Sequence, residues 1–324
     1  MAEYINIRGQ NIEVLASDPA NPTLGQIWYN STSNTLKGLS VTTVNAWSTG
    51  GSLITGGDFQ GGAGTQTAAL TIKRSTSIPS QKYDGTSWTA AAATNTNAGG
   101  VVGFGIQTAA IGAGGYISPV VTNTTEEYDG STWSIGATLA TSTSGAGAAG
   151  ITSAGLVFGG EGTGTGTPRR NNTQEYNGAT WSDVNAMPYS ATYVSGTGTQ
   201  TAGLGFGGNP PSTLTDATIE YDGTNWTSGG ALPSPSSQKG ASGSQTAALS
   251  YGGAYPAATN TAQLYDGTSW TSTATMSTPR GQVGGLGGTA SQTAGLAFGA
   301  GSPNALTEEF NGPGITQTKT ITAS

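Results

Sequence analysis

The chain has 324 residues, of which 54 are glycine, more than twice the usual share of roughly 7%. It has no cysteine and no histidine, which excludes disulfides, thiol nucleophiles, histidine general bases and zinc sites of the usual kind. Seventeen acidic against ten basic side chains give a net charge of −7, so we expect no nucleic-acid partner.

Residues 1–35 precede the regular part of the chain, and we predict that they form a mostly extended N-terminal extension. Their most distinctive stretch is Pro22-Thr23-Leu24-Gly25-Gln26-Ile27-Trp28-Tyr29-Asn30. The adjacent aromatic residues Trp28 and Tyr29 are candidates for attachment to a partner, or for a lid on the main domain. No stretch of the chain approaches the ~20 apolar residues of a spanning helix, so we expect no membrane insertion.

The rest of the chain, residues 36–324, is organised by a repeated unit of an aromatic residue, a turn and a tryptophan. Tyr83-Asp84-Gly85-Thr86-Ser87-Trp88 is the first complete copy, and the steps between the tyrosines are 45, 48, 45 and 44 residues. A last copy begins at Phe310 but has no tryptophan. Trp47 stands 18 residues before Thr65, the residue that precedes a Gln-Thr-Ala marker, as Trp88 stands 18 before Ile106, so Trp47 is assigned to that last copy. The repeat residues are Trp47, Tyr83, Trp88, Tyr128, Trp133, Tyr176, Trp181, Tyr221, Trp226, Tyr265, Trp270 and Phe310.

Periods of 40–50 residues with strand-like content are typical of β-propeller blades. Asp-Gly or Asn-Gly between short runs favours hairpins. The spacing leaves open whether each tyrosine pairs with the tryptophan across a four-residue loop or with Thr or Ser across a two-residue loop. We predict an all-β, six-bladed propeller over residues 36–324, closed by pairing of the N- and C-terminal strands.

An apolar strand ending in Gly-Gly and followed by a tyrosine and a tryptophan resembles the kelch-type propeller repeat. Leu156-Val157-Phe158-Gly159-Gly160, then Tyr176 and Trp181, carry the resemblance, which extends over residues ~36–316. The gap between tyrosine and tryptophan is shorter than in typical kelch repeats. Leu70-Thr71-Ile72-Lys73 also stands where the first copy should have Gly-Gly. Kelch functions do not transfer with the resemblance, because propellers carry unrelated activities.

A second resemblance concerns bacteriophage proteins. The segment Pro22–Asn30, followed by Leu36-Lys37-Gly38, resembles one common in tail-fibre and other virion proteins, and the Gly/Thr-rich repeats resemble those of marine-phage structural proteins. This implies a non-enzymatic virion protein, tail- or fibre-associated, for host-surface binding or particle decoration. The partners implied are other virion proteins, further copies of the chain, and a host-surface glycan or protein. The alternative is a secreted or cell-surface, lectin-like adhesin.

Paired carboxylates are the residues best suited to acid–base chemistry. Glu126-Glu127 and Glu308-Glu309 stand at one repeat position. Neighbouring strand residues point to opposite faces, so each pair should diverge, and an edge strand protected by charge is the favoured interpretation. The acids of the Asp-Gly turns are assigned to turn geometry and not to calcium. We assign no catalytic, metal or cofactor residue and predict that the chain is not an enzyme.

The connections between the Gly-Gly strand and the tyrosine strand vary most in length from copy to copy. Insertions at one phase of a repeat fall on one face of a ring, and loops on a rigid scaffold are usual sites of recognition. The candidate recognition residues are Tyr116, Arg169, Arg170, Asn209 and Tyr255.

Overall fold

The computed structural model describes residues 12–41, 45–57, 61–72, 79–163, 168–255, 257–287, 290–300, 305–313 and 316–321. In that part the chain forms strands and no helix, so no helix of membrane-spanning length occurs there. The contacts divide the chain into two compact units, a first unit of Met1–Asn45 with Gly312–Ser324 and a second unit of Ala46–Asn311.

The strands are short, as expected for blades built from hairpins. In chain order they are β1 (Glu13–Leu15), β2 (Ile27–Asn30), β3 (Thr35–Val41), β4 (Ala46–Thr49), β5 (Gly61–Thr65), β6 (Ala68–Ile72), β7 (Gln81–Tyr83), β8 (Trp88–Ala90), β9 (Val102–Ile106), β10 (Ala109–Ala113), β11 (Tyr116–Ile117), β12 (Val120–Val121), β13 (Thr125–Tyr128), β14 (Trp133–Ile135), β15 (Gly147–Ile151), β16 (Ala154–Phe158), β17 (Thr173–Tyr176), β18 (Trp181–Val184), β19 (Ser195–Thr199), β20 (Ala202–Phe206), β21 (Thr218–Tyr221), β22 (Trp226–Ser228), β23 (Gly240–Ser244), β24 (Ala247–Tyr251), β25 (Ala262–Tyr265), β26 (Trp270–Thr273), β27 (Ala294–Phe298), β28 (Thr307–Asn311) and β29 (Thr316–Thr320).

The first unit is built around one sheet in the order β1-β2-β3-β29. Strands β1 and β2 are parallel, whereas β2 with β3 and β3 with β29 are antiparallel. The predicted boundary at residues 35/36 falls at the start of β3, which pairs with β2 and β29. The two compact units divide between Asn45 and Ala46, and β3 and β29 belong to the sheet of the first unit.

The second unit repeats one antiparallel sheet. The orders are β5-β6-β7-β8, β14-β13-β10-β9, β15-β16-β17-β18, β19-β20-β21-β22, β23-β24-β25-β26 and β27-β28-β4, and β11 and β12 form a separate small hairpin. The first strands of successive sheets contact one another. This arrangement confirms the predicted all-β propeller fold.

The two ends of the second unit meet in one sheet. Strand β4 pairs antiparallel with β28, and Trp47 lies opposite Phe310. In the complete copies the tyrosine lies opposite the tryptophan in the same way, as Tyr128 does opposite Trp133. The loop between them therefore has four residues, which settles the alternative left open by the sequence. The pairing of β4 with β28 is the one that ring closure requires; the closure itself and the count of six blades stay predictions.

Side chains of the Gln-Thr-Ala marker join each sheet to the one before it. Gln200 donates from Nε2 to the carbonyl oxygens of Gly155 and Tyr176, at 3.1 and 2.8 Å. The marker glutamines Gln66, Gln107, Gln245 and Gln292 bind the equivalent pair of carbonyls. Thr152 occupies this position in the sheet of β15–β18. The marker is therefore a hydrogen-bonded connection between sheets.

The carboxylate doublets also lie between sheets, and the edge-strand interpretation of them is wrong. Strands β13 and β28 are interior strands, and Glu126 and Glu308 are buried. Glu126 accepts hydrogen bonds from the backbone N–H groups of Asn95 and Thr96, whereas Glu127 accepts one from the Tyr176 hydroxyl. The two carboxylates of one doublet thus bind different neighbours and do not form an acid–base pair.

The core of the second unit lies between successive sheets. One cluster, for example, packs Leu204 and Phe206 of β20 against Tyr265 and Trp270 of the following sheet. Near the centre the first strands approach so closely that a Cβ on Gly196 would lie 2.6 Å from the backbone nitrogen of Ala148. The high glycine content is therefore a packing requirement of these strands.

Candidate ligand site at the channel mouth

The two ends of the sheets in the second unit differ. One end, the turn end, carries the tight turns. There Asp84 Oδ1 accepts hydrogen bonds from the N–H groups of Thr86 and Ser87 at 2.8 and 2.7 Å, and these bonds lower the pKa of Asp84. Asp129, Asn177, Asp222 and Asp266 make the same turn. In the described part of the chain no group of three acidic side chains gathers as a metal site.

The opposite end, the mouth end, carries the connections of unequal length, and it holds all five predicted recognition residues. Tyr116 and Tyr255 are exposed, and they form isolated bridges with Gly99 and Ser237. Arg169 donates from Nε to the carbonyl of Asn209 at 2.5 Å, and Arg170 is half-buried. These residues come from several sheets, so the structure brings them to one end of the unit but not into one cluster.

A chain of backbone hydrogen bonds links successive sheets at this end. The N–H of Gly145 donates to the Gly100 carbonyl at 2.9 Å, and the N–H of Tyr193 donates to the Gly145 carbonyl at 2.6 Å. The N–H of Gln238 donates to the Tyr193 carbonyl at 3.3 Å, and the N–H of Gln282 donates to the Gln238 carbonyl at 3.2 Å. All five residues have φ between 58 and 64°. We call Gly100, Gly145, Tyr193, Gln238 and Gln282 the mouth.

The mouth surrounds a depression of about 120 Å³ that is lined by these five residues and their C-terminal neighbours. This volume is below the usual range of ligand pockets, roughly 300–1,000 Å³, so the depression is a small site. A deeper cavity continues between the first strands and is lined by residues of β5, β9, β15, β19 and β23 and by Val283, Gly285 and Gly287, so in a closed propeller it is the central channel. The depression is therefore the opening of that channel.

Polar but mostly neutral groups line the depression. Burial raises the pKa of the Tyr193 hydroxyl, and the nearby charge of Glu161 raises it further, so the phenol stays protonated. Lys239 is buried, and its Nζ donates to the carbonyl of Gly252 at 2.6 Å. Burial lowers the pKa of Lys239 to about 8. The site thus offers hydroxyl, amide and backbone groups more than fixed charge.

Gly287 lies within the deeper part of the channel. Isolated bridges pair Gly284 with Phe298 and Ser291 with Ala294, so this stretch of sequence has eight positions, two of them outside the described residues, for the five residues of β27. In the other sheets the first two strands pair five residues with five, as β15 and β16 do. A Cβ on Gly287 would lie 2.8 Å from the Gly103 carbonyl oxygen of another sheet. The three extra residues of this last copy therefore bring the chain into the channel.

Sequence reasoning missed the mouth, although a signal for it exists. Gly100, Gly145, Tyr193 and Gln238 each stand seven residues before the marker position, and Gln282 stands ten before it because of the three extra residues. Two copies have glycine there, three have tyrosine or glutamine, and the copy before Gln66 has Phe59, which lies outside the described residues. Variation at one fixed repeat position, between small neighbours, was the available signal.

The predicted attachment residues lie in the first unit. Trp28 is fully buried and donates from Nε1 to Asp18 at 3.1 Å, whereas Tyr29 is half-buried and its hydroxyl donates to Asn34. The indole of Trp28 therefore supports its own sheet. The large apolar side chains exposed in this unit are Ile12, Val14 and Leu24 among the described residues.

A comparison with solved structures finds a fold similar to that described as "Structure of YjhT". The TM-score is 0.67 and the identity 14%, over 83% of this chain and 99% of that chain. At this identity the similarity supports the propeller fold alone. No family model and no curated protein matches the chain. The kelch and phage resemblances stay predictions.

Proposed function

We propose that this protein is a non-enzymatic structural component of a bacteriophage particle, associated with the tail or its fibres, whose propeller binds a host surface. The observation that carries the binding role is the contrast between the two ends of the second unit. The turn end repeats one tight turn, whereas the mouth end carries unequal connections around a lined depression. Recognition sites are usually variable loops on a rigid scaffold of this kind.

Exposed apolar side chains at the mouth end support the same assignment. Tyr116 is 42% exposed and Tyr255 is 46% exposed, and Ile117 and Val120 of the β11–β12 hairpin are exposed as well. Groups of exposed large apolar side chains mark interaction surfaces in proteins that otherwise bury them. The partner at this end is a host-surface glycan or protein.

The particle role rests on the resemblance of Pro22–Asn30 to virion proteins and on the surface of the first unit. Val14 and Leu24 are 66% and 63% exposed. Such side chains are suited to contact with another virion protein or a second copy of the chain. We therefore assign particle attachment to the first unit and recognition to the second.

The test is to locate the protein and then separate the two roles. Immunogold microscopy and mass spectrometry of purified particles should find the full chain in the tail. Replacing Tyr116 and Tyr255 by Ser should weaken binding of fluorescent full-length protein to host cells at least fivefold, while Val14→Ser with Leu24→Ser should not. Absence from the particles, with the protein on bacterial surfaces, would reject the virion assignment in favour of the adhesin.

A further inference from the structure

Three residues of the mouth hold a backbone conformation that their side chains disfavour. Tyr193, Gln238 and Gln282 each have φ of 58°, and the equivalent residues Gly100 and Gly145 have 64 and 61°. The left-handed region costs an L-residue roughly 1–2 kcal/mol, and glycine avoids that cost. The fold accepts glycine at this repeat position twice, so the backbone alone does not require the three side chains. Strain kept at selected positions points to a function of those side chains.

Gln238 carries a second, independent observation. It lines the depression and is only 9% exposed. Its Oε1 is buried and accepts no hydrogen bond from any residue that the structure describes. A buried acceptor without a donor costs about 1–3 kcal/mol. A ligand hydroxyl that donates to this oxygen would remove the cost.

The lining of the depression indicates the chemistry of that ligand. Among its described residues Lys239 is the charged one, and its ammonium group is bound to the Gly252 carbonyl. Tyr193 and the two glutamines supply neutral donors and acceptors, and Val101, Val194 and Val283 supply apolar surface. Neutral polar groups beside small apolar patches suit a ligand with many hydroxyls on a carbon ring. They do not suit a strongly charged ligand, whose desolvation would be uncompensated.

We propose that the mouth binds a neutral sugar residue of a glycan, with Gln238 Oε1 accepting a hydrogen bond from a sugar hydroxyl. Tyr193 and Gln282 line the same side of the depression as Gln238. A Cβ on Gly145 would lie 2.9 Å from the ring of Tyr193, so glycine at that position lets the tyrosine side chain lie beside it. This site rests on the proposed host-binding function and gives the class of ligand recognised there.

The test uses full-length protein and saturation-transfer NMR with glucose, galactose, mannose, N-acetylglucosamine, lactose and maltose as probes. We expect transfer to at least one probe with the native chain. Gln238→Gly should weaken that binding at least tenfold while stability stays equal or rises, because the backbone strain is relieved. Gln238→Met, which keeps the volume without the amide, should weaken it similarly. Transfer to no probe, or binding unchanged in Gln238→Gly, would overturn the proposal.

Host-cell binding separates this proposal from the proposed function. If the native chain and Gln238→Gly bind host cells equally well, the host-binding role stands and the mouth site is rejected. If the native chain binds cells, the variant does not, and the free sugar competes, the site recognises a surface glycan. If particles lack the protein while the sugar binds, the virion role fails and the sugar site stands.

Discussion

At the scale of single residues, the contacts between sheets show matched pairs. Each of Tyr83, Tyr176, Tyr221 and Tyr265 donates its hydroxyl to a glutamate of the preceding sheet, at 2.5–2.8 Å. Where the tyrosine is replaced by Phe310, the glutamate position is taken by Leu264, which packs in the same cluster. Where the glutamate position is taken by Lys82, the Lys82 ammonium lies 5.3 Å from the ring centre of Tyr128. In the pair of Phe310 and Leu264 both partners thus change together, because a buried carboxylate without a donor is costly.

In the first unit, several hydrogen bonds converge on the side chain of Asp18. Its carboxylate accepts hydrogen bonds from Trp28 Nε1, Asn30 Nδ2 and Lys37 Nζ at 3.1, 2.7 and 2.7 Å. The bond from Lys37 is the largest cause that lowers the pKa of Asp18 from 3.8 to about 2. Because the folded-state pKa is below the unfolded one, the stabilisation is complete above pH 3.8 and is lost as the pH falls through about 2.

We therefore expect the indole N–H resonance of Trp28 to titrate with a midpoint near pH 2, measured by NMR on full-length protein. Asp18→Asn should abolish this titration, since the amide does not ionise. The Asp18–Lys37 pair is partly exposed, so its effect on overall stability should be small. A midpoint close to 3.8 would show that the three bonds do not stabilise the carboxylate.

At the scale of elements, one sheet contact lacks its glutamine. Thr152 stands where other copies have Gln200 or Gln245, and its side chain is shorter. The equivalent acceptors would be the carbonyls of Ala110 and Tyr128, which pair in the preceding sheet as Gly155 and Tyr176 do. The contact between the sheets of β9–β14 and β15–β18 therefore has two fewer hydrogen bonds than the others.

Thr152→Gln should restore both bonds and raise the free energy of unfolding by about 1–3 kcal/mol, given about 0.5–1.5 kcal/mol for each net hydrogen bond. Urea denaturation followed by tryptophan fluorescence measures this change. Thr152→Asn is the matched control, because its amide is one methylene too short to reach the carbonyls. Equal stability of the two variants would mean that the marker glutamines do not stabilise the sheet contacts.

The strands of the second unit and the residues that join its sheets could be predicted from the sequence, whereas the mouth residues could not. Tyrosine, tryptophan and glutamine recur in phase because they make the contacts between sheets, which are the same in each copy. The mouth residues were not predicted, because a ligand site on a repeat fold depends on residues that differ between copies, as Gly145 and Tyr193 do. The pairing of β3 with β29 was not predicted, because these strands pair across the length of the chain without any repeated motif.

At the scale of the whole chain, both ends contribute strands to both units. Strand β4 pairs with β28 in the second unit, and β3 pairs with β29 in the first. Contacts of such long sequence separation are costly in chain entropy until they form. Within the second unit, the sheet of β5–β8 also contacts the sheet of β27, β28 and β4 through side chains. Gln66 binds the carbonyls of Gly295 and Phe310, and Tyr83 binds Glu309.

The predicted ring closure can be tested by comparing one contact between the first and last sheets with its equivalent inside the array. Tyr83→Phe removes the bond to Glu309, and Tyr176→Phe removes the bond to Glu127. Burial raises the pKa of Glu309, so this carboxylate depends on its donor. If the ring is closed in solution, both variants should lose a similar free energy of unfolding, about 1.5–3 kcal/mol for a hydrogen bond to a charged group.

A second substitution, copied from another sheet contact of the same chain, should restore the stability of Tyr83→Phe. Tyr83→Phe with Glu309→Leu recreates the natural pair of Phe310 and Leu264, so the double variant should recover most of the lost stability. Tyr176→Phe with Glu127→Leu is the matched control inside the array. The coupling free energy of each double-mutant cycle measures whether the two side chains are in contact. Coupling for Tyr176–Glu127 with none for Tyr83–Glu309 would mean that the sheet of β5–β8 and the sheet of β27, β28 and β4 are apart in solution.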